Sequence, residues 1–262
     1  MRKSSGPIMR GRNCWPRHPI RSGPGTSRAC TGPVKWSYFQ LYVILDIFSR
    51  YVVGWLVAPR ESEALAVTLL EQTCSKQKIG PGELVVHADR GSSMTSKSVA
   101  FLLADLGVEK THSRPHVSND NPYSESQFKT MKYRPEFPSR FDSIEHARSF
   151  CRRFIDWYNT AHHHSGIGLL TPVVVHYGRA GEITARRASV LAGAFAAKPE
   201  RFVRGMPQPP SQPLAAWINP PHDEAAALQR IAGLCRGPLP LPFPESFASL
   251  EPMQSGQLVL SN

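Results

Sequence analysis

The stretch Tyr42-Val43-Ile44-Leu45-Asp46-Ile47-Phe48-Ser49-Arg50-Tyr51-Val52-Val53-Gly54-Trp55 decides the fold. β-Branched and aromatic residues fill both halves, and the polar pair Ser49-Arg50 interrupts them. Such residues suit a pleated, half-buried surface, so the stretch reads as a hairpin, Tyr38–Asp46 turning into Tyr51–Ala58. Asp46 stands in mid-hairpin beside Ser49-Arg50, where a structural hydrogen-bonding role suits it better than chemistry.

Outward from the hairpin, helices and strands alternate. Residues 61–77 carry Leu65, Leu69 and Leu70 at helical spacing, and Pro81-Gly82 ends the segment. Residues 83–87 form a short buried strand that runs into Asp89. Residues 96–106 form an amphipathic helix closed by Gly107, and 108–112 another strand. A polar loop leads to a helix from Pro122 to about Tyr133, proline being well placed in a first helical turn. Asp142-Ser143-Ile144-Glu145 has the form of a capping box that opens a helix reaching Asn159. Phe150, Phe154 and Trp157 make its core-facing stripe, and a last helix spans 182–197. A hairpin followed by alternating helices and strands predicts an α/β fold with a mixed sheet. Prolines 207, 209, 210, 213, 220 and 221 mark an extended linker toward the C-terminal tail.

The chain has 262 residues, 31 Lys+Arg against 20 Asp+Glu, and a net charge of +11. Residues 1–36 hold eight of those cations and no acid, so +8 of the charge lies there. An acidic, self-solvating chain is excluded, and a polyanionic partner, most simply nucleic acid, is suggested. Taken alone, residues 1–31 read as a basic arm without a packed core. A hydrophobic fraction of 41% supports a core elsewhere. No apolar run reaches the length of a membrane span, and no apolar stretch follows the basic N-terminus as in a secretory signal. The five cysteines are isolated, which suits free thiols in a reducing cytoplasm better than a zinc site.

Two acids carry the chemistry. Asp89 stands just past a strand end in His87-Ala88-Asp89-Arg90-Gly91-Ser92. Alone it could be a turn-capping residue. Glu125 lies in the first turn of its helix, with Lys129 and Lys132 on the same face at i+4 and i+7. Alone it could be a carboxylate favoured by the helix dipole and paired with Lys129. Together, with 35 residues between them, two carboxylates near a basic helix face suit a hard divalent cation and a phosphodiester. Lys129 and Lys132 then hold a DNA backbone as point charges.

The hairpin, the Asp89 motif and Asn121-Pro122-Tyr123-Ser124-Glu125 resemble the catalytic core of retroviral integrases, and most nearly that of insertion-sequence transposases. Trp157-Tyr158-Asn159, His163-His164-Ser165-Gly166-Ile167, Thr171-Pro172 and His176-Tyr177 are similar to that family's closing helix and following loop. The resemblance implies a ribonuclease-H-like fold over residues 32–180, followed by a helix, a Pro-rich linker and a tail over 181–262. It implies three carboxylates that bind Mg2+ or Mn2+, Asp89 and Glu125 being the second and third. It implies cleavage at element ends and transfer of the freed 3′-OH to target DNA. Its implied partners are DNA, further copies of the chain and an upstream helix-turn-helix protein of the same element, in the cytoplasm.

The first carboxylate is missing. The family places it on the strand before the hairpin, in a pattern like Trp-Asp-Ile-Thr, yet no Asp or Glu precedes Asp46. Read one base back, codons for Ser22 through Gly32 permit Val-Trp-Ser-Trp-Asp-Ile-Thr-Arg-Leu-His-Gly, after which Gly32-Pro33-Val34-Lys35-Trp36 continues in the present frame. About residues 13–31 therefore read as an out-of-frame translation, with the lost Asp codon straddling Gly25 and Thr26. The other reading is a genuine basic arm, and the coding DNA separates the two. The glycines and proline of residues 22–32 are poor in a central strand, so loss of that paired strand is expected along with the acid. Two alternatives to an active transposase follow: a non-catalytic DNA-binding remnant or regulator, and a nuclease that cuts without joining.

Other motifs carry less. His162-His163-His164 cannot all face one ion and reads as a solvated loop or a DNA-backbone contact. His87 and His112 flank strand ends and read as core or supporting residues. Arg152-Arg153 and Arg186-Arg187 read as solvated helix faces that could touch DNA. No Gly-x-Ser-x-Gly elbow or phosphate-binding glycine loop is present, which argues against serine-hydrolase chemistry and ATP use.

Overall fold

The computed structural model describes residues 14–16, 30–35, 37–79, 84–88, 96–112, 122–217 and 223. The hairpin forms as read: β2 (Gln40–Asp46) pairs antiparallel with β3 (Val52–Ala58). All of β2 beyond Gln40 is buried, because helices cover both of its faces. On one face, α1 (Glu63–Lys76) and α2 (Lys97–Asp105) pack Leu69, Leu70, Val99 and Leu103 against Tyr42, Ile44 and Val53. On the other, α4 (Ile144–Thr160) packs Phe150, Phe154, Ile155 and Tyr158 against Leu41, Val43 and Leu45. Gly54 lets α1 come close, since a Cβ there would overlap the Thr73 hydroxyl.

The helices begin where short polar side chains satisfy free N–H groups. Ser62 accepts from Leu65 N and Ser96 from Val99 N. The capping box of α4 is corrected in detail. Ser143 is the cap, but its oxygen accepts from His146 N at 3.1 Å, so His146 rather than Glu145 occupies the third helical position.

β4 (Val85–Ala88) and β5 (Glu109–His112) pair in parallel, with Ala88 opposite His112. Parallel and antiparallel ladders thus both occur and the class is α/β, as expected. Among the described residues they form two sheets, ordered β1-β2-β3 and β4-β5, rather than one mixed sheet. The two come together at β1, a strand that sequence reading did not anticipate. β1 (Cys14–Pro16) pairs antiparallel with β2, Cys14 opposite Asp46 and Pro16 opposite Ile44, and lies alongside β4.

The expected loss of a paired strand before the hairpin is therefore overturned. A strand is present, though it is three residues long and comes from 14–16 rather than 22–32. Nor is the first 31-residue segment wholly outside the core. Cys30 is fully buried, its carbonyl accepts from Phe39 N, and Thr31 O accepts from Phe141 N at 2.7 Å.

The C-terminal part departs from the linker reading as well. α6 (Ala180–Ala197) follows the short α5 (Pro172–His176), which the sequence had not marked as a helix. Residues 208–217 form no helix or named strand, and they run back over the core. The Pro210 carbonyl lies 2.9 Å from where a Cβ on Gly168 would be, and Gly168 has φ +70. Ala216 is buried in the same core cluster as Phe154.

Candidate active site

α3 (Pro122–Lys132) carries the Glu125 face, and its sequence fixes which side points out. Ser124, Gln127, Phe128 and Met131 are buried, and Phe128 and Met131 join the main core. Glu125 and Lys129 are exposed and Lys132 is half-buried, so the three share the outward face as their spacing requires. The helix-dipole pairing with Lys129 does not form: among the described residues Glu125 has no ion pair. Its carboxylate sits in the first turn, where the helix dipole favours negative charge, and it is open to a ligand.

Two contacts fix the start of α3, and neither was legible in the sequence. The Arg50 guanidinium lies over the Tyr123 ring, 3.8 Å from its centroid. The Tyr123 hydroxyl donates to the Trp217 carbonyl at 2.7 Å. Arg50 is itself held in the left-handed region, φ 66, and donates to the Ile47 carbonyl. The hairpin turn, the Glu125 helix and the returning C-terminal segment are thus tied at one place.

Asp46 takes the structural role assigned to it. Its carboxylate is 2% exposed and accepts from Ser49 Oγ at 2.5 Å, Phe48 N at 3.0 Å and His176 Nδ1 at 3.0 Å. Burial alone would raise its pKa; the bonds from His176, Ser49 and Phe48 and the His176 charge outweigh that and hold it below the ordinary value. His176 Nε2 is 3.1 Å from Gln77 Oε1 on α1, and the ring stacks on Tyr51 at 4.5 Å. His176-Tyr177 therefore joins α5, the hairpin turn and α1. Asn159 has a comparable role. Its amide accepts from Val52 N at 2.9 Å and donates to Val52 O at 3.1 Å, acting like a strand neighbour at the start of β3.

Asp89 lies outside the described residues. β4 ends at Ala88, the residue before it, and His87 is buried, in keeping with a core role. His112 closes β5 opposite Ala88. The histidine run divides. His162 packs on Trp157 and Tyr158, His164 packs on Tyr158 and His162, and only His163 is exposed. A wholly solvated loop is thus corrected to an aromatic cluster. Burial, with the nearby His162 and Arg50, lowers the His164 pKa to about 3. The second arginine pair divides too: Arg186 is exposed, while Arg187 donates to the Gly168 and Leu169 carbonyls.

A hard divalent ion such as Mg2+ or Mn2+ takes carboxylate oxygens, and of the two acids expected to supply them only Glu125 lies among the described residues. β1, which lies alongside β4, is Cys14-Trp15-Pro16 and holds no carboxylate. Nor do three His, Cys, Asp or Glu side chains converge anywhere among the described residues. At the back of this region the Cys30 and Cys151 thiols hydrogen-bond to each other. That contact and burial push the Cys151 thiol far up.

One integrase core domain family matches residues 27–118 and a second matches residues 106–172. The transposase for insertion sequence element IS904 of Lactococcus lactis subsp. lactis is 33% identical over 141 residues, covering 53% of this chain and 55% of that one. Transposase InsF for insertion sequence IS3A of Escherichia coli is 31% identical over 138 residues, covering 52% and 47%. The chain spans about half the length of these curated relatives. Among solved structures, the catalytic core domain of BIV integrase aligns with a TM-score of 0.43 at 18% identity, over 64% of this chain and 94% of that one. The simian T-cell lymphotropic virus intasome aligns with 0.45 at 15% identity, over 67% and 60%. Residues 27–172 thus match integrase core domains, and over about half of its length the chain is similar to insertion-sequence transposases.

Proposed function

We propose that this chain is the catalytic-core polypeptide of an insertion-sequence transposase that binds element ends and target DNA, and that it lacks strand-transfer activity as translated. The observation that carries the reading is the α3 face. An exposed Glu125 without an ion partner stands above Lys129 and Lys132, on a helix anchored at its start by Arg50 and Trp217. In this reading Asp89 and Glu125 hold Mg2+ or Mn2+, which when bound supplies charge stabilisation at phosphorus. Lys129 and Lys132 take the phosphates that flank the scissile bond, as point charges that fix register without reading sequence. Residues 32–180 form the catalytic core, which assembles with further copies and with an upstream helix-turn-helix protein, in the cytoplasm. Among the described residues no helix is long and apolar enough to cross a membrane.

Inactivity follows from the acid-free first 45 residues and from a β1 without a carboxylate. The out-of-frame origin of about residues 13–31 rests on the codons that Ser22 through Gly32 permit one base back. The same acid-free stretch favours a second reading, a DNA-binding remnant that occupies element ends without cutting them.

The purified chain should join no 3′-OH end to target DNA in Mg2+ or Mn2+. The chain re-encoded with the Trp-Asp-Ile-Thr pattern should gain that activity. Robust joining by the unaltered chain would sink the inactivity reading. Salt-sensitive binding without gain of joining in the re-encoded chain would favour the remnant. Sequencing the codons for Gly23 through Thr31 tests the frame directly.

A further inference from the structure

At the open end of the hairpin, away from Glu125, lies a cleft of about 460 Å3 between β3, α1 and α4. Trp55, Pro59 and Leu65 make its apolar floor, Arg148 and Arg152 stand on its rim, and its lining holds no carboxylate. The two arginines are at i and i+4 on α4, one helical turn or about 6 Å apart. Like charges at that spacing destabilise a helix by about 0.2–0.5 kcal/mol, so helix stability does not account for them. Arg148 is aimed by its Nε–H, which donates to the Val57 carbonyl at 3.3 Å. Its nearest acid, Glu145, is a marginal 3.9 Å away. Arg152 is exposed and has no hydrogen bond or ion pair among the described residues.

We propose that this cleft is a second DNA contact, in which Arg148 and Arg152 take phosphates of one strand of a duplex and the Trp55 floor packs on its sugars. Charge complementarity selects the occupant: two guanidiniums beside an apolar floor with no carboxylate suit a polyanion with apolar sugar edges. β3, seven residues or about 20 Å long, runs from the turn whose Arg50 lies over Tyr123 to this cleft. The inference extends the DNA-binding reading to a surface that needs neither Asp89 nor Glu125.

The test is fluorescence anisotropy of the full chain with a labelled duplex of roughly 24 base pairs, long enough for both surfaces, over a salt series. Arg148→Gln with Arg152→Gln should weaken binding at low salt at least tenfold and reduce the log–log salt slope by about 2. Lys replacements at both positions should keep the slope. Arg152→Gln alone removes no internal contact and should reduce it by about 1, which keeps the test valid if the double variant unfolds. An unchanged slope in a folded variant overturns the proposal. So does conversion of a dimer to a monomer at unchanged slope, which would assign the cleft to a second copy. A reduced slope here with none in the Lys129→Gln, Lys132→Gln variant supports the cleft and breaks the α3 face. No salt-dependent binding by the unaltered chain ends both.

Discussion

Asp46 and Glu125 are two carboxylates placed in opposite ways. Asp46 is buried, accepts three hydrogen bonds and holds three elements together. Glu125 is exposed, has no ion partner and is held only by the backbone of α3. A buried carboxylate persists only when its lone pairs are filled, so nothing is left over for a ligand. An exposed one in a first helical turn costs the fold nothing and keeps its oxygens for whatever binds. The contrast separates an acid that builds the fold from an acid proposed to work in the site.

Removing the first should be the largest effect. Asp46→Ala leaves His176 and Ser49 buried without their acceptor and should destabilise by about 3–5 kcal/mol, read from urea unfolding. A cost near that of Glu125→Gln would erase the distinction. Asn159→Ala strips two bonds from the start of β3 and should cost about 2–3 kcal/mol in the same assay.

Acid should expose the buried groups next. Asp46 is depressed in the fold, so its contribution is present above the unfolded value near 3.9 and is lost as pH falls through the lower folded value. His164, with a folded pKa of about 3, acts earlier. Below about pH 6.5 the unfolded chain takes up its proton and the folded chain does not, so stability falls from there toward pH 3. Unfolding midpoints should therefore drop from about pH 6.5 in the unaltered chain, less so in His164→Phe. Parallel curves would remove His164 from the account.

The smallest effect on stability belongs to the other side. Glu125→Gln should stay within about 0.5 kcal/mol while lowering Mn2+ affinity by titration calorimetry. Unchanged Mn2+ binding would place the ion elsewhere.

Several elements were legible because their signals are local. The alternation of Tyr42–Trp55, the start of α3 at Pro122, and the i, i+4, i+7 spacing of Glu125, Lys129 and Lys132 depend only on neighbours in sequence. β1 was not legible. Three residues within an acid-free, Gly/Pro-rich stretch carry no strand signal of their own, and their conformation comes from pairing with β2. The capping box misled by one position because Ser143, not Asp142, turns the chain. The Pro-rich segment was read as a linker and packs on the core instead, since a proline sets φ but says nothing of what it packs on.

The amino-acid sequence by itself determined the α/β alternation, the likeness to integrase cores, the Asp89 and Glu125 spacing and the absence of an acid before Asp46, all carried by residue type and order. Only the tertiary structure decided that Asp46 joins His176, that Arg50 and Trp217 hold Tyr123, and that Arg148 and Arg152 flank a cleft floored by Trp55. Those contacts join residues from 73 to 130 positions apart. No local pattern encodes them, because burial and charge act through space and not along the chain.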